Sequence, residues 1–385
     1  MIAPVDRIPV FLLTGFLGSG KTTLLNALLK APDFANTAVI VNEFGEIGLD
    51  HFLIERSQDN VVLLDAGCLC CTISDALHET LADLYARRVR GEVPAFERVV
   101  IETTGLAEPA PILHTLLGHS LVVPHYRLEA TVVTVDAQHI RQLLVTQPEA
   151  GHQIAVADRL LITKTDLAPF DDALLQRLRS INRFATVMES VAGACAVQAF
   201  AGMGLHHVPT AQSISDEPTT RRADTAHGHH VAQEYSDARG GHRNHDHKDA
   251  HKVDHRHAHD RNRHDAHIRA HCLIIDDPLS WSGIAAWWQW MVDMLGDRLL
   301  RCKGLLRISE TDELVFIQGV QRVFHKPERL PDWPDGDHRS RLVCITRDTA
   351  ESDILTTLAA LQIEAGTDPR AALAELRRET TTTER

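Results

Sequence analysis

A chain of 385 residues has room for two domains with real cores, and its 44% apolar and 24% charged content is that of a soluble globular protein. A net charge of −13 argues against a general nucleic-acid role, and no apolar run approaches a membrane span. The N-terminus leads directly into a strand with no signal peptide expected, and seven cysteines, three of them clustered, fit a reducing cytoplasm.

Ile8–Leu13 is a short apolar run, as expected of a buried parallel strand. Gly15-Phe16-Leu17-Gly18-Ser19-Gly20-Lys21-Thr22 follows, matching G-x-x-x-x-G-K-[ST], and Thr22–Leu29 continues with helix formers and no breaker. The logic of such a loop is mechanical. Gly15, Gly18 and Gly20 let the backbone turn so that its amides, with those of Ser19 and Thr23, point at phosphate oxygens. The helix adds its positive end. Lys21 supplies charge to the β- and γ-phosphates, and the Thr22 hydroxyl is placed to hold Mg²⁺.

Val39–Val41 is a second strand, ending in Asn42-Glu43-Phe44-Gly45-Glu46-Ile47-Gly48-Leu49-Asp50. Acids and glycines after a strand make a loop suited to ordering by nucleotide and Mg²⁺. Val61–Leu64 is a third strand and runs into Asp65-Ala66-Gly67-Cys68-Leu69-Cys70-Cys71. Three thiols within four residues converge on one soft cation if the backbone turns at Gly67, and thiolates select Zn²⁺ or Cu(I). Glu43, Glu46 or Asp50 could add an oxygen ligand. Cys195, Cys272, Cys302 and Cys344 sit singly among apolar residues and read as core thiols.

Val99-Val100-Ile101 is a strand closing on Glu102-Thr103-Thr104-Gly105. Glu102 there can hold Mg²⁺ through water or orient the attacking water, and the Gly105 amide can sense the γ-phosphate. Ala130–Val135 ends in Asp136; Arg159–Ile162 ends in Thr163-Lys164-Thr165-Asp166; Ala185–Val187 is a further strand. Asp166 can accept both guanine donors, which adenine lacks. The usual guanine motif is Asn-Lys-x-Asp, and Thr163 replaces its Asn.

Alternating strands and helices over residues 1–209 predict an α/β fold, a mostly parallel sheet with helices on both faces. Residues 210–270 are polar, unable to bury a core, and expected to be disordered without metal. They carry His227, His229, His230, His242, His245, His247, His251, His255, His257 and His259, followed by His264 and His267. Many imidazoles on a flexible chain suit weak metal buffering. Residues 271–385 predict a smaller α+β domain. It has a strand at His271–Ile275 and a tryptophan-rich helix from Ser280 to Leu295 whose tryptophans read as core. Strands follow over Leu299–Ile308, Leu314–Phe324 and Arg341–Thr346, split by Gly304 and Gly319, with helix over 353–376 and a frayed end at Thr380–Arg385.

Together these residues resemble the CobW-type metallochaperone GTPases, within the P-loop group that includes the urease and hydrogenase nickel-insertion GTPases. The motifs are Gly15–Thr22, Asn42-Glu43-Phe44-Gly45-Glu46, Cys68-Leu69-Cys70-Cys71, Glu102-Thr103-Thr104-Gly105 and Thr163-Lys164-Thr165-Asp166. The likeness resumes at Arg301-Cys302-Lys303-Gly304 and Gln318-Gly319-Val320 and covers most of the chain. It implies a zinc chaperone that uses GTP·Mg²⁺ binding and hydrolysis to pass metal to a client zinc metalloprotein. Neither nucleic acid nor membrane is implied as a partner. A cobalt-handling member of the cobalamin pathway, with Co²⁺ in place of Zn²⁺, and a passive metal store or sensor stand as alternatives. A nucleotide- or metal-dependent dimer is left open.

Overall fold

Seven apolar runs between Ile8 and Ser190 pair in parallel as one sheet. The computed structural model describes residues 7–42, 62–65, 73–202, 220–223 and 268–383. The strands are β1 (Ile8–Gly15), β2 (Thr37–Asn42), β3 (Val62–Asp65), β4 (Arg98–Thr103), β5 (Tyr126–Asp136), β6 (Arg159–Thr163) and β7 (Thr186–Ser190). Their order is β3-β2-β4-β1-β5-β6-β7, and every pairing is parallel. The intervening helices are α1 (Lys21–Leu29), α2 (Ile73–Arg90), α3 (Ala110–Gly118), α4 (Ile140–Thr146), α5 (Pro148–Ala155), α6 (Asp172–Ile181) and α7 (Ala196–Phe200). Alternation along β1 decides which helix covers which face. Val10 and Leu12 pack with Leu81 and Leu84 of α2 and Leu113 and Leu116 of α3. Phe11 and Leu13 pack on the other face with Leu24 and Leu28 of α1 and Phe200 of α7. Helices thus cover both faces, and the loops at the carboxyl ends of β1, β4 and β6 meet on one edge.

A second sheet is built from β8 (Thr220–Ala223), β9 (Ile268–Ile275), β10 (Leu299–Arg307), β11 (Leu314–Val320), β12 (Val323–Phe324), β13 (Glu328–Leu330) and β14 (Ser340–Arg347). It is antiparallel except for β8, which runs parallel to β9. Three helices follow its strands: α8 (Trp281–Leu295), α9 (Glu351–Thr357) and α10 (Pro369–Thr383). Leu273, Ile275, Cys302 and Cys344 face Trp287, Trp290 and Met291 of α8. Their neighbours Cys272, Ile274, Leu300, Val343 and Ile345 pack against the first unit, among Ile154, Leu174, Leu178 and Ile181.

Buried charge joins the two units. Asp158, just before β6, accepts from Arg301 Nη2 at 2.9 and 3.1 Å and from Lys303 Nζ at 2.5 Å. Burial alone would raise the Asp158 carboxyl, but the two cations outweigh it and hold it below its usual range. Burial pushes Lys303 down to about 8, against the pull of Asp158. Arg7, Glu328 and His325 form a second buried cluster.

Four expectations need correction. Gly304 and Gly319 do not split strands; they lie inside β10 and β11. Each is small because a neighbour occupies the space of a Cβ: Leu342 and the Arg341 carbonyl at Gly304, the Trp288 ring at Gly319. The break in the second run falls instead at Gln321, with φ +50°, between β11 and β12. The expected helix over 353–376 is two helices joined by a 3-10 turn at Leu358–Gln362; Gly366, with φ +80°, and Pro369 at the first turn of α10 separate them. Residues 220–223, in the tract expected to be disordered, form β8, because an edge strand needs backbone partners more than a core. The tail does not fray from Thr380, since α10 continues to Thr383. No helix among the described residues is long and apolar enough to cross a membrane.

Candidate functional site

The glycine loop between β1 and α1 is built as its sequence requires. Gly15, Gly18 and Gly20 have φ of +141°, +70° and +94°, a region side chains avoid. A Cβ on Gly15 would strike Thr134, so the loop is locked against β5. The Ser19 and Thr134 hydroxyls are 2.6 Å apart. Lys21 curls into the loop and donates Nζ–H to the carbonyls of Gly15 and Phe16 at 2.9 and 3.2 Å. Thr22 Oγ1 donates to Glu102 Oε1 at 2.9 Å. These groups line a cavity of about 230 Å³ that also takes in Gly18, Gly20, Thr23 and Gly105. A cation, a glycine-rich backbone and a hydroxyl–carboxylate pair therefore share one space, which suits a polyphosphate and a hard metal ion.

The loop after β6 is fastened to the same loop. Thr163 Oγ1 donates to the Ser19 carbonyl at 2.7 Å and lies 3.2 Å from the Val135 carbonyl. Its hydroxyl is committed to backbone, and Asp166, three residues on, is exposed. Lys164, at φ +58°, donates to Asp136 Oδ2 at 2.7 Å. Sequence reasoning saw Asp136 only as a strand end. It is 4% exposed and also takes hydrogen bonds from His139 and the Gln138 amide; burial raises its carboxyl, but these bonds outweigh that and lower it. In the structure Asp136 ends β5 in register with Thr163.

Cys68, Cys70, Cys71, Glu43, Glu46, Asp50 and the histidines from His227 to His267 lie outside the described residues. Among the described residues no group of three or more His, Cys, Asp or Glu is placed to hold a metal. Cys272, Cys302 and Cys344 are buried as expected, with the thiols of Cys302 and Cys344 3.6 Å apart across the ladder. Cys195 departs from the expectation: it is only half-buried, because it caps α7 and does not point into a core.

A parallel sheet whose first strand opens into this loop, with a carboxylate on the neighbouring strand facing the loop threonine, defines a P-loop nucleotide-binding protein. Residues 9–189 match the CobW/HypB/UreG nucleotide-binding domain, and residues 268–362 match the cobalamin synthesis protein cobW C-terminal domain. The chain belongs to the CobW family of P-loop GTPases. It is 30% identical over 358 residues to the zinc chaperone YjiA of Escherichia coli, covering 93% of this chain and 100% of that one. It is 33% identical over 198 residues to the zinc-regulated GTPase metalloprotein activator 1 of Schizosaccharomyces pombe, covering 49% of this chain and 47% of that one. Its fold is similar to the crystal structure of Zn(II)-bound YjiA GTPase from E. coli, with a TM-score of 0.63, 27% identity, and coverage of 92% of this chain and 99% of that one.

Proposed function

We propose that this chain is a GTP-driven zinc metallochaperone that passes a metal ion from Cys68, Cys70 and Cys71 to a client metalloprotein. The observation that carries the reading is a register. Glu102 of β4 lies opposite Val41 of β2, and Val41 lies opposite Asp65, the residue from which the chain enters the cysteine segment. With neighbouring strands about 4.8 Å apart, that entry is roughly 10 Å along the sheet from Glu102, whose carboxylate meets Thr22. A change at the γ-phosphate then has a short path to Asp65, after which the chain continues to the cysteine motif.

In this reading Lys21 and the amides of Gly18, Ser19 and Gly20 stabilise the transferring phosphoryl group. The Thr22 hydroxyl and Glu102 carboxylate, two hard oxygen donors already facing each other, fit Mg²⁺. Mg²⁺ there neutralises charge on the phosphates. Glu102 holds Mg²⁺ through water or orients the attacking water, the Gly105 amide senses the γ-phosphate, and Asp166 selects guanine. Glu43 or Glu46 completes the zinc coordination, and the histidine tract buffers metal. The names of the relatives support zinc as cargo.

The test is a paired titration on a variant lacking residues 225–267. Zinc affinity is measured with GTP analogue, with GDP and without nucleotide, alongside GTP turnover. Affinity should depend on nucleotide, and alanine at Cys68, Cys70 and Cys71 should abolish the tight site. Equal zinc affinity in all three states, unaffected by the cysteine substitutions, would sink the coupling.

A further inference from the structure

The loop that follows Glu102 is held from its far side by α5, and α5 in turn is met by the C-terminal domain at Arg347. On the near side, a side chain at Gly105 would collide with the backbone of Leu17, so any shift of this loop reaches the P-loop directly. On the far side, two consecutive residues of α5 grip it. Gln153, 1% exposed, donates Nε2–H to the carbonyls of Gly105 and Ala107 at 3.3 and 3.1 Å. His152 places Nδ1 2.8 Å from Glu108 Oε2 and Nε2 2.8 Å from Nη1 of Arg347, the last residue of β14.

The chemistry of that chain is fixed by its ends. A guanidinium only donates, so Nε2 accepts from Arg347. The ring proton then sits on Nδ1 and is donated to the Glu108 carboxylate. Arginine, imidazole and carboxylate are thus aligned in one direction, and each bond polarises the next. The helix downstream leans on the same domain. α3 begins two residues after Glu108, and its Gly118 lies against Val323.

We propose that Arg347, acting through His152 on Glu108, positions the loop between Glu102 and α3 and so links the nucleotide site to the C-terminal domain. Arg347 is a positioning residue, distant in sequence from the phosphates and held to them by two hydrogen bonds and one loop. A partner that draws Arg347 away releases Glu108 and alters how the loop separates triphosphate from diphosphate. By linkage, nucleotide state alters the affinity of the C-terminal domain for that partner by the same factor. This inference rests on the GTPase reading but not on zinc.

The test uses full-length protein carrying Arg347→Met, His152→Asn or Glu108→Gln, and the double variant Arg347→Met with Glu108→Gln. The readouts are affinities for a non-hydrolysable GTP analogue and for GDP, GTP turnover and Tm. Arg347→Met should change the ratio of the two affinities about 3- to 10-fold, the size of coupling carried by packed networks. His152→Asn keeps a donor where Nδ1 stands and loses the Nε2 acceptor, so it should reproduce Arg347→Met. The double variant should be no worse than the stronger single one. An unchanged ratio in Arg347→Met and His152→Asn, whatever their Tm, overturns the proposal, as does full additivity in the double variant. If the wild-type protein fails to turn over GTP, the proposed catalysis fails alone, because the affinity ratio is read without hydrolysis.

Discussion

The Thr163 hydroxyl donates to the Ser19 carbonyl at 2.7 Å, tying two loops 144 residues apart in sequence. Thr163→Val would leave that buried carbonyl short of a partner. A hydrogen bond of this kind contributes about 1 kcal/mol, so affinity for guanine nucleotides should fall about 5-fold. Thr163→Ser should stay near wild type. Fluorescent-nucleotide titration separates the two, and equal affinity for Thr163→Val and wild type would show that the tie is dispensable.

Lys21 and Glu102 should fail in different ways. Lys21→Ala removes the cation from the phosphates and should lower turnover at least about 10²-fold, as loss of a transition-state donor does. Glu102→Gln keeps an acceptor for the Thr22 hydroxyl but loses the charge. Its nucleotide affinity should respond less to Mg²⁺ than that of wild type, measured with Mg²⁺ and with chelator. An unchanged Mg²⁺ response would remove Glu102 from the metal's neighbourhood.

Asp158→Asn strands Arg301 and Lys303 in a buried interface. Breaking such a group costs about 3–5 kcal/mol, read by chemical denaturation at neutral pH. The pH dependence has a definite sign. The folded carboxyl sits below its unfolded value of about 3.9, so the unfolded chain holds the proton more tightly. The stabilisation is complete above about pH 5 and is lost as pH falls through the folded value. The gap between wild type and Asp158→Asn should narrow below about pH 4. A gap that widens in acid would contradict this account.

Gly319→Ala pushes a methyl into the Trp288 ring, which is itself stacked on Phe324 with centroids 4.2 Å apart. Overpacking of this kind costs about 1–3 kcal/mol and should lower the denaturation midpoint without changing the slope. A midpoint equal to wild type would mean that Trp288 moves aside freely.

What the sequence disclosed and what it hid divide along contact distance. The P-loop was legible because strand, glycines and helix are contiguous and each residue type has a local reason. The parallel sheet was legible from apolar runs ending in polar loops. Gly304 and Gly319 were misread because glycine inside a strand has no local signature that separates a break from a tight neighbour across the sheet. The reading of helix over 353–376 ran across Gly366 and Pro369, although both lay in plain view. Asp136, Gln153 and Arg347 were missed as site residues because their meaning depends on partners 28, 48 and 195 residues away.

The C-terminal sheet is apolar on both sides, one lined by Cys272, Ile274, Leu300, Val343 and Ile345, the other by Leu273, Ile275, Cys302 and Cys344. Among the described residues, only the second side is covered by the unit's own helices. A fragment starting at Ile268 would therefore expose the first side to water as a flat greasy wall, with β9 and β14 side by side within it. Such a fragment is a candidate for inclusion bodies when expressed alone. Exchange of this half between relatives would succeed only if the helices that cover it, α5 and α6, travelled with it.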